Sequence, residues 1–144
     1  IVGNLANPMP GHQLVQLVSE KLGTPVRFAE GAKEPIERVA IVGGSGTSFM
    51  GEALRSGAQA FVTADASYHR FHEVRGKLWL IDPGHFEMEQ FTAYAMATAL
   101  RSELVKVGLE KIMISRAYTN PVRYYPDTDK YINLQNQILN NYIR

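Results

Sequence analysis

Cysteine is absent from the 144 residues of the chain. Its absence excludes a disulfide framework and any zinc site built on thiolates, so imidazole and carboxylate groups are the ligands left for a metal ion. The chain also lacks an excess of either charge. It has 15 lysines and arginines and 14 aspartates and glutamates, which gives a net charge of +1. This balance predicts neither a specific nucleic-acid partner nor a membrane partner.

Long apolar stretches are missing as well. No run approaches the roughly 18 apolar residues of a membrane-spanning helix. No signal peptide is visible, since no basic region precedes Ile1-Val2-Gly3, and the cytoplasm is the expected location. A start at isoleucine rather than methionine suggests a piece of a longer protein. With 45% hydrophobic and 20% charged residues, the composition is typical of a single folded domain, here spanning residues 1–144.

Apolar runs of strand length alternate with helical periodicity along the chain. The strand candidates are residues 26–28, "RVAIV" (38–42), "AFVT" (60–63), "LWLID" (78–82) and "KIMIS" (111–115). The helix candidates are residues 14–22, 49–55, 67–75, 86–107 and a last helix within a C-terminal helical extension, 126–144. In the longest helix, the residues predicted to face inward are Phe91, Ala95, Leu100 and Leu104. The alternation predicts an α/β fold, with helices packed on a layered, largely parallel sheet.

Three of the predicted strands end in polar or glycine-rich turns. These turns are residues 43–48, Ala64-Asp65 and the stretch from Asp82 to His85. If the strands are parallel neighbours, the turns meet at the carboxyl edge of the sheet, where α/β proteins bind ligands. The sequence therefore predicts a functional site at that edge.

The turn "GGSGTS" permits two interpretations. Backbone N–H groups of Gly43, Gly44, Ser45 and Gly46 could hold an anion ahead of a helix start. The same glycines could merely solve the geometry of a tight turn. The segment fits neither the dinucleotide fingerprint nor the phosphate-binding loop, and Thr47 stands where the nucleophile elbow needs its last glycine.

His85 and Glu89 are the strongest candidates for metal ligands. They are four residues apart, so on a helix they share one face and can reach one cation. Imidazole and carboxylate suit zinc, manganese or iron. The alternative is an ordinary polar helix start with an incidental histidine. A third ligand within the chain would have to come from Asp65 or His69.

A serine hydrolase is a further hypothesis. The chain order serine, aspartate, histidine is satisfied by Ser45, Asp65 and His69, or by Ser45, Asp82 and His85. The imperfect elbow and the small size of the domain argue against it.

Four blocks of the sequence, in this order, resemble the GTP cyclohydrolase 1 type 2 homolog (Nif-three-like) family. They are "VAIVGGSGTSF", "GAQAFVTADASYH", "LIDPGHFEMEQF" and "TNPVRYY". The opening segment is similar to the start of the second half of those proteins, and the resemblance extends from about Gly3 to Tyr125. It identifies the chain with the C-terminal half of the family fold.

The resemblance implies a ring-shaped homohexamer of two-half proteins with two divalent metal ions between the halves. His85 and Glu89 of Gly-His-x-x-x-Glu would be ligands, with zinc the first choice and manganese or iron the alternatives. The N-terminal half would supply the other ligands, and no His-His pair exists here to replace them. The complete protein is expected to be a metal-dependent hydrolase that opens GTP, with a nucleotide or phosphate ligand, and the chain by itself to be inactive. The alternative is a non-catalytic assembly or regulatory module.

Overall fold

The computed structural model describes residues 1–32, 35–108, 111–125 and 127–142. It divides into two compact units, Ile1–Met88 and Glu89–Arg144. None of the helices in these ranges is long and apolar enough to cross a membrane.

The first unit is built on a five-stranded sheet with the order β1-β3-β4-β5-β2. The strands are β1 (Val2–Met9), β2 (Arg27–Ala29), β3 (Ile36–Ser45), β4 (Ala60–Ala64) and β5 (Trp79–Asp82). The central strands β3, β4 and β5 are parallel, whereas both edge strands run antiparallel to their neighbours. The predicted α/β class is confirmed, with a mixed sheet in place of the largely parallel one.

Helices cover both faces of this sheet because β4 alternates its side chains between two apolar clusters. Phe61 packs with Met50 and Ala53 of α2 (Met50–Arg55) and with Val74 of α3 (Tyr68–Val74). Ala60 and Val62 lie in the opposite cluster with Leu14 of α1 (Gly11–Leu22). All five residues of β4 are buried, so the central strand and its ends are held in place from both sides.

The second unit contains α5 (Thr92–Lys106) and α6 (Thr128–Tyr142). Between them, residues 111–124 form neither helix nor strand. Buried Gln135 of α6 accepts a hydrogen bond from the Tyr118 hydroxyl at 3.3 Å, and the Arg123 guanidinium lies over the Tyr118 ring. Helix α6 falls within the predicted C-terminal extension.

Two predictions for the later part of the chain are wrong. Residues 111–115 form no strand, although Ile112 and Ile114 are half-buried and their neighbours exposed, as the alternation predicted. Alternation reports one-sided burial, whereas a strand also needs a paired neighbour.

The single helix over 86–107 is interrupted, because α4 (His85–Glu89) ends before α5 begins. Ala95 and Leu100 are exposed rather than inward, and Ala97 is buried instead.

Candidate functional site at the carboxyl edge of the sheet

The polar turns after β3, β4 and β5 meet at one edge of the sheet, as predicted. The parallel register pairs Ser45 with Ala64 at the ends of β3 and β4, and Val62 with Ile81 near the ends of β4 and β5. Asp65 directly follows the buried strand β4, and Asp82 is the last residue of the buried strand β5. This edge is where side chains of different turns come within contact distance.

Asp82, the last residue of β5, joins these turns through a buried carboxylate. Its Oδ2 accepts hydrogen bonds from the Ala66 N–H at 3.0 Å and from Arg27 at 2.5 Å, and its Oδ1 accepts from the Gly84 N–H at 3.0 Å. The Asp82 side chain is 1% exposed, and the Arg27 side chain is 65% exposed. One carboxylate therefore fixes the residue after Asp65 and the residue before His85.

Asp65 and His85, whose neighbours are held by Asp82, contact each other directly. Oδ2 of Asp65 lies 2.6 Å from Nδ1 of His85, and both side chains are about half exposed, at 50% and 48%. Asp65 has a φ of +58°, and it is the one non-glycine residue in the described part of the chain with a positive φ. Such a backbone is uncommon outside glycine, and it occurs where surrounding structure enforces it.

The other predicted ligands occupy separate positions. Helix α4 begins at His85 and ends at Glu89, so the two residues stand one turn apart, and both are exposed. His69 lies near the start of α3, exposed, with its ring edge-on to Tyr68 at 5.8 Å. The structure thus joins Asp65 to His85 but does not bring His69 to them as a third ligand.

The donor set at this edge fits part of a metal site. An imidazole and a carboxylate, both solvent-accessible, are suitable donors for zinc, manganese or iron. Within the described ranges, no three histidine, aspartate or glutamate side chains converge as a metal-binding group. Further donors would have to come from outside this part of the chain, as the resemblance implied.

The glycine-rich turn is organised by Thr63 of β4. The Thr63 hydroxyl accepts a hydrogen bond from the Gly46 N–H at 2.9 Å and donates one to the Gly44 carbonyl at 3.0 Å. Gly44 has a φ of +62°, and a Cβ on Gly46 would lie 2.6 Å from the Thr63 hydroxyl. The positive φ explains the glycine at position 44, and the lack of space for a Cβ explains the glycine at position 46. The Gly46 N–H already donates its hydrogen bond to Thr63. An anion-binding role for Gly43, Gly44 and Ser45 stays a prediction.

The serine hydrolase hypothesis is not favoured by this arrangement. Ser45 is the last residue of β3, just before the helical segment, but its φ is not positive, so it lacks the strained backbone of a nucleophile elbow. His85 contacts Asp65, a pairing that neither proposed triad contains. The carboxylate of Asp82 is occupied by Arg27 and two backbone N–H groups.

Asp82 is the important residue whose role sequence reasoning missed. The sequence pattern places Asp82 only in the turn from Asp82 to His85 and in one of the two candidate triads. A local signal was present, because aspartate before Pro-Gly often accepts a hydrogen bond from the N–H two residues on, as Oδ1 does from Gly84. The contact with Arg27 depends on the antiparallel pairing of β2 with β5, which no local pattern reveals.

A mixed α/β sheet with a histidine–aspartate pair at its carboxyl edge defines this chain as an α/β protein with a candidate site at the edge where such proteins bind ligands. The family model Duf34/NIF3 (NGG1p interacting factor 3) matches residues 1–121. The chain belongs to this family.

Individual relatives agree with the family assignment. A protein of Nostoc sp. named GTP cyclohydrolase 1 type 2 homolog is 35% identical over 94 residues, covering 62% of this chain and 36% of the relative. A Bacillus subtilis protein of the same name is 32% identical over 127 residues, covering 85% and 34%. The crystal structure of a Bacillus cereus protein related to NIF3 superposes with a TM-score of 0.71 at 27% identity, covering 85% and 34%. The chain thus spans about a third of the length of these relatives.

Proposed function

We propose that this chain contributes His85 and Glu89 as ligands to a dinuclear divalent-metal site of a metal-dependent hydrolase. The observation that carries the proposal is the exposed imidazole of His85, held by Asp65 at the carboxyl edge of the sheet. A ring fixed by a carboxylate on one nitrogen is a common form of metal-binding histidine. Zinc is the first candidate ion, with manganese and iron as alternatives.

The work of this chain in such a site is to present ligands. His85 and Glu89 would hold the ions together with donors from elsewhere, and the bound ions would supply an activated water and polarisation of the bond under attack. Strand β5 and its Asp82 anchor hold His85 in place, and α4 sets Glu89 one turn further on. With too few donors in the described residues for a full site, the remaining ligands would belong to the rest of the protein or to a second copy.

The substrate class we propose is a nucleotide or another phosphate compound, and the assembly a homohexamer of the complete protein. The name of the curated relatives, GTP cyclohydrolase 1 type 2 homolog, supports the nucleotide. Hydrolytic opening of GTP would be the reaction of the complete protein, and this chain by itself would be inactive.

Metal content tests the proposal. The chain is incubated with zinc, manganese or iron, desalted and subjected to elemental analysis. We expect near-stoichiometric zinc in the unmodified chain once the remaining ligands are present, from a second copy or from the rest of the protein, and loss of that zinc in both His85→Ala and Glu89→Ala, because each removes one of few donors. His72→Ala is the matched control, since His72 is an exposed histidine on α3, stacked on Tyr68, and its removal should leave the zinc bound. Zinc retained by His85→Ala, or none bound by the unmodified chain within the complete protein, would contradict the proposal.

A further inference from the structure

We propose that Asp65 is a positioning residue for His85 and not itself a metal ligand. Its carboxylate holds the proton of His85 on Nδ1, so that Nε2 is the nitrogen presented to the ion. This inference rests on the proposed function, and it assigns a definite role to a residue for which sequence alone left the ligand role open.

The contact between the two side chains determines which nitrogen carries the proton. Oδ2 of Asp65 and Nδ1 of His85 are 2.6 Å apart. A carboxylate oxygen has no proton to donate, so at this distance Nδ1 is the donor and Oδ2 the acceptor. In the neutral ring, Nε2 then has its lone pair in the plane, and a metal ion binds that lone pair.

The same geometry excludes Oδ2 of Asp65 from the ion that Nε2 would bind. The two nitrogens point to opposite sides of the imidazole ring, and the carboxylate occupies the Nδ1 side. Metal–oxygen bonds are about 2 Å long, which is too short to reach from that side to an ion at Nε2. Oδ2 of Asp65 therefore acts on that ion only through the ring.

The backbone of Asp65 indicates that this placement is enforced. Its φ of +58° is a conformation in which glycine would be unstrained. The neighbouring Ala66 is held by its N–H on the buried carboxylate of Asp82, and Ala64 is a fully buried residue of β4. Asp65 is thus fixed between two anchored residues, and its side chain is directed at His85.

Replacing Asp65 with glycine separates this role from a structural one. Glycine accepts the positive φ without strain but gives the unfolded chain more freedom, so the melting temperature of Asp65→Gly should change little. Without the carboxylate the ring loses the hydrogen bond that holds the proton on Nδ1, and zinc affinity should fall about 10- to 100-fold. Affinity is measured by competition with a chromogenic chelator. Asp65→Asn, which tolerates the backbone and keeps one acceptor oxygen, should lose less.

Each alternative role predicts another result. If Asp65 is a ligand, Asp65→Gly should lose zinc as completely as His85→Ala, and the proposal is overturned. If Asp65 is only structural, the melting temperature should fall while zinc affinity stays within about twofold of the unmodified chain, which is far outside the loss expected for a supporting carboxylate.

The tautomer of His85 gives a readout that needs no metal. Nitrogen-15 shifts of the imidazole in the metal-free chain should show a protonated Nδ1 and an unprotonated Nε2. In Asp65→Gly this preference should disappear. An unchanged tautomer in Asp65→Gly, with zinc still bound in all variants, overturns the role of Asp65 and leaves the proposed function standing. A complete protein that binds no zinc in any variant overturns the proposed function, and the metal role of Asp65 with it.

Discussion

The Asp82→Ala variant should lose about 3 kcal/mol of its free energy of unfolding, because it leaves buried hydrogen-bond donors without their charged acceptor. The lost interactions are those with the N–H groups of Ala66 and Gly84 and with the guanidinium of Arg27. Since Ala66 and Gly84 adjoin Asp65 and His85, the pair at the sheet edge should loosen as well. Denaturant unfolding measures the first effect, and the nitrogen-15 shifts of His85 measure the second.

Glu52→Ala is the matched control for Asp82. Glu52 also pairs with an arginine, Arg55 at 2.9 Å, but its side chain is 60% exposed. Exposed ion pairs contribute little, so this variant should change the free energy of unfolding by less than about 0.5 kcal/mol. An Asp82→Ala chain as stable as Glu52→Ala would refute the role of Asp82 as an anchor.

The Phe61→Ala variant should lose about 4 kcal/mol of its free energy of unfolding, through lost burial and the cavity left behind. Phe61, the second residue of β4, is fully buried between the sheet and the helices α2 and α3. A loss of this size is a large fraction of the total stability of a typical domain, which is about 5–15 kcal/mol. The variant should unfold at much lower denaturant concentration.

Phe49→Ala provides the comparison for the same chemical change at the surface. Phe49 is 53% exposed, and its removal should cost less than about 1 kcal/mol, because exposed side chains lose little burial. Equal losses for Phe49→Ala and Phe61→Ala would contradict the arrangement in which β4 is covered on both faces.

Much of the central fold could be predicted because β3, β4 and β5 are short apolar runs that end in glycine, proline or aspartate. Their parallel packing then brings Asp65 and His85 to one edge, as expected. The contact between these two side chains could not be predicted. It depends on the positive φ of Asp65 and on the bonds that Asp82 makes to both turns, and neither has a periodic signature.

The errors have a different origin. Strand β1 has almost no buried residues, so it lacks the alternation by which strands are detected, and its pairing with β3 is a long-range event. Residues 111–115 show the reverse case, with alternating burial but no strand. The interruption between α4 and α5 could not be predicted either, because the apolar periodicity of the sequence continues through it.

X-ray absorption at the zinc edge of the zinc-loaded chain tests the central claim, that His85 is a metal ligand, most directly. We expect nitrogen and oxygen ligands at about 2.0–2.1 Å, with imidazole scattering that persists in His72→Ala, whereas His85→Ala should retain no zinc and give no such signal. Imidazole scattering that is unchanged in His85→Ala would contradict the account, because the bound ion would then be held by another histidine.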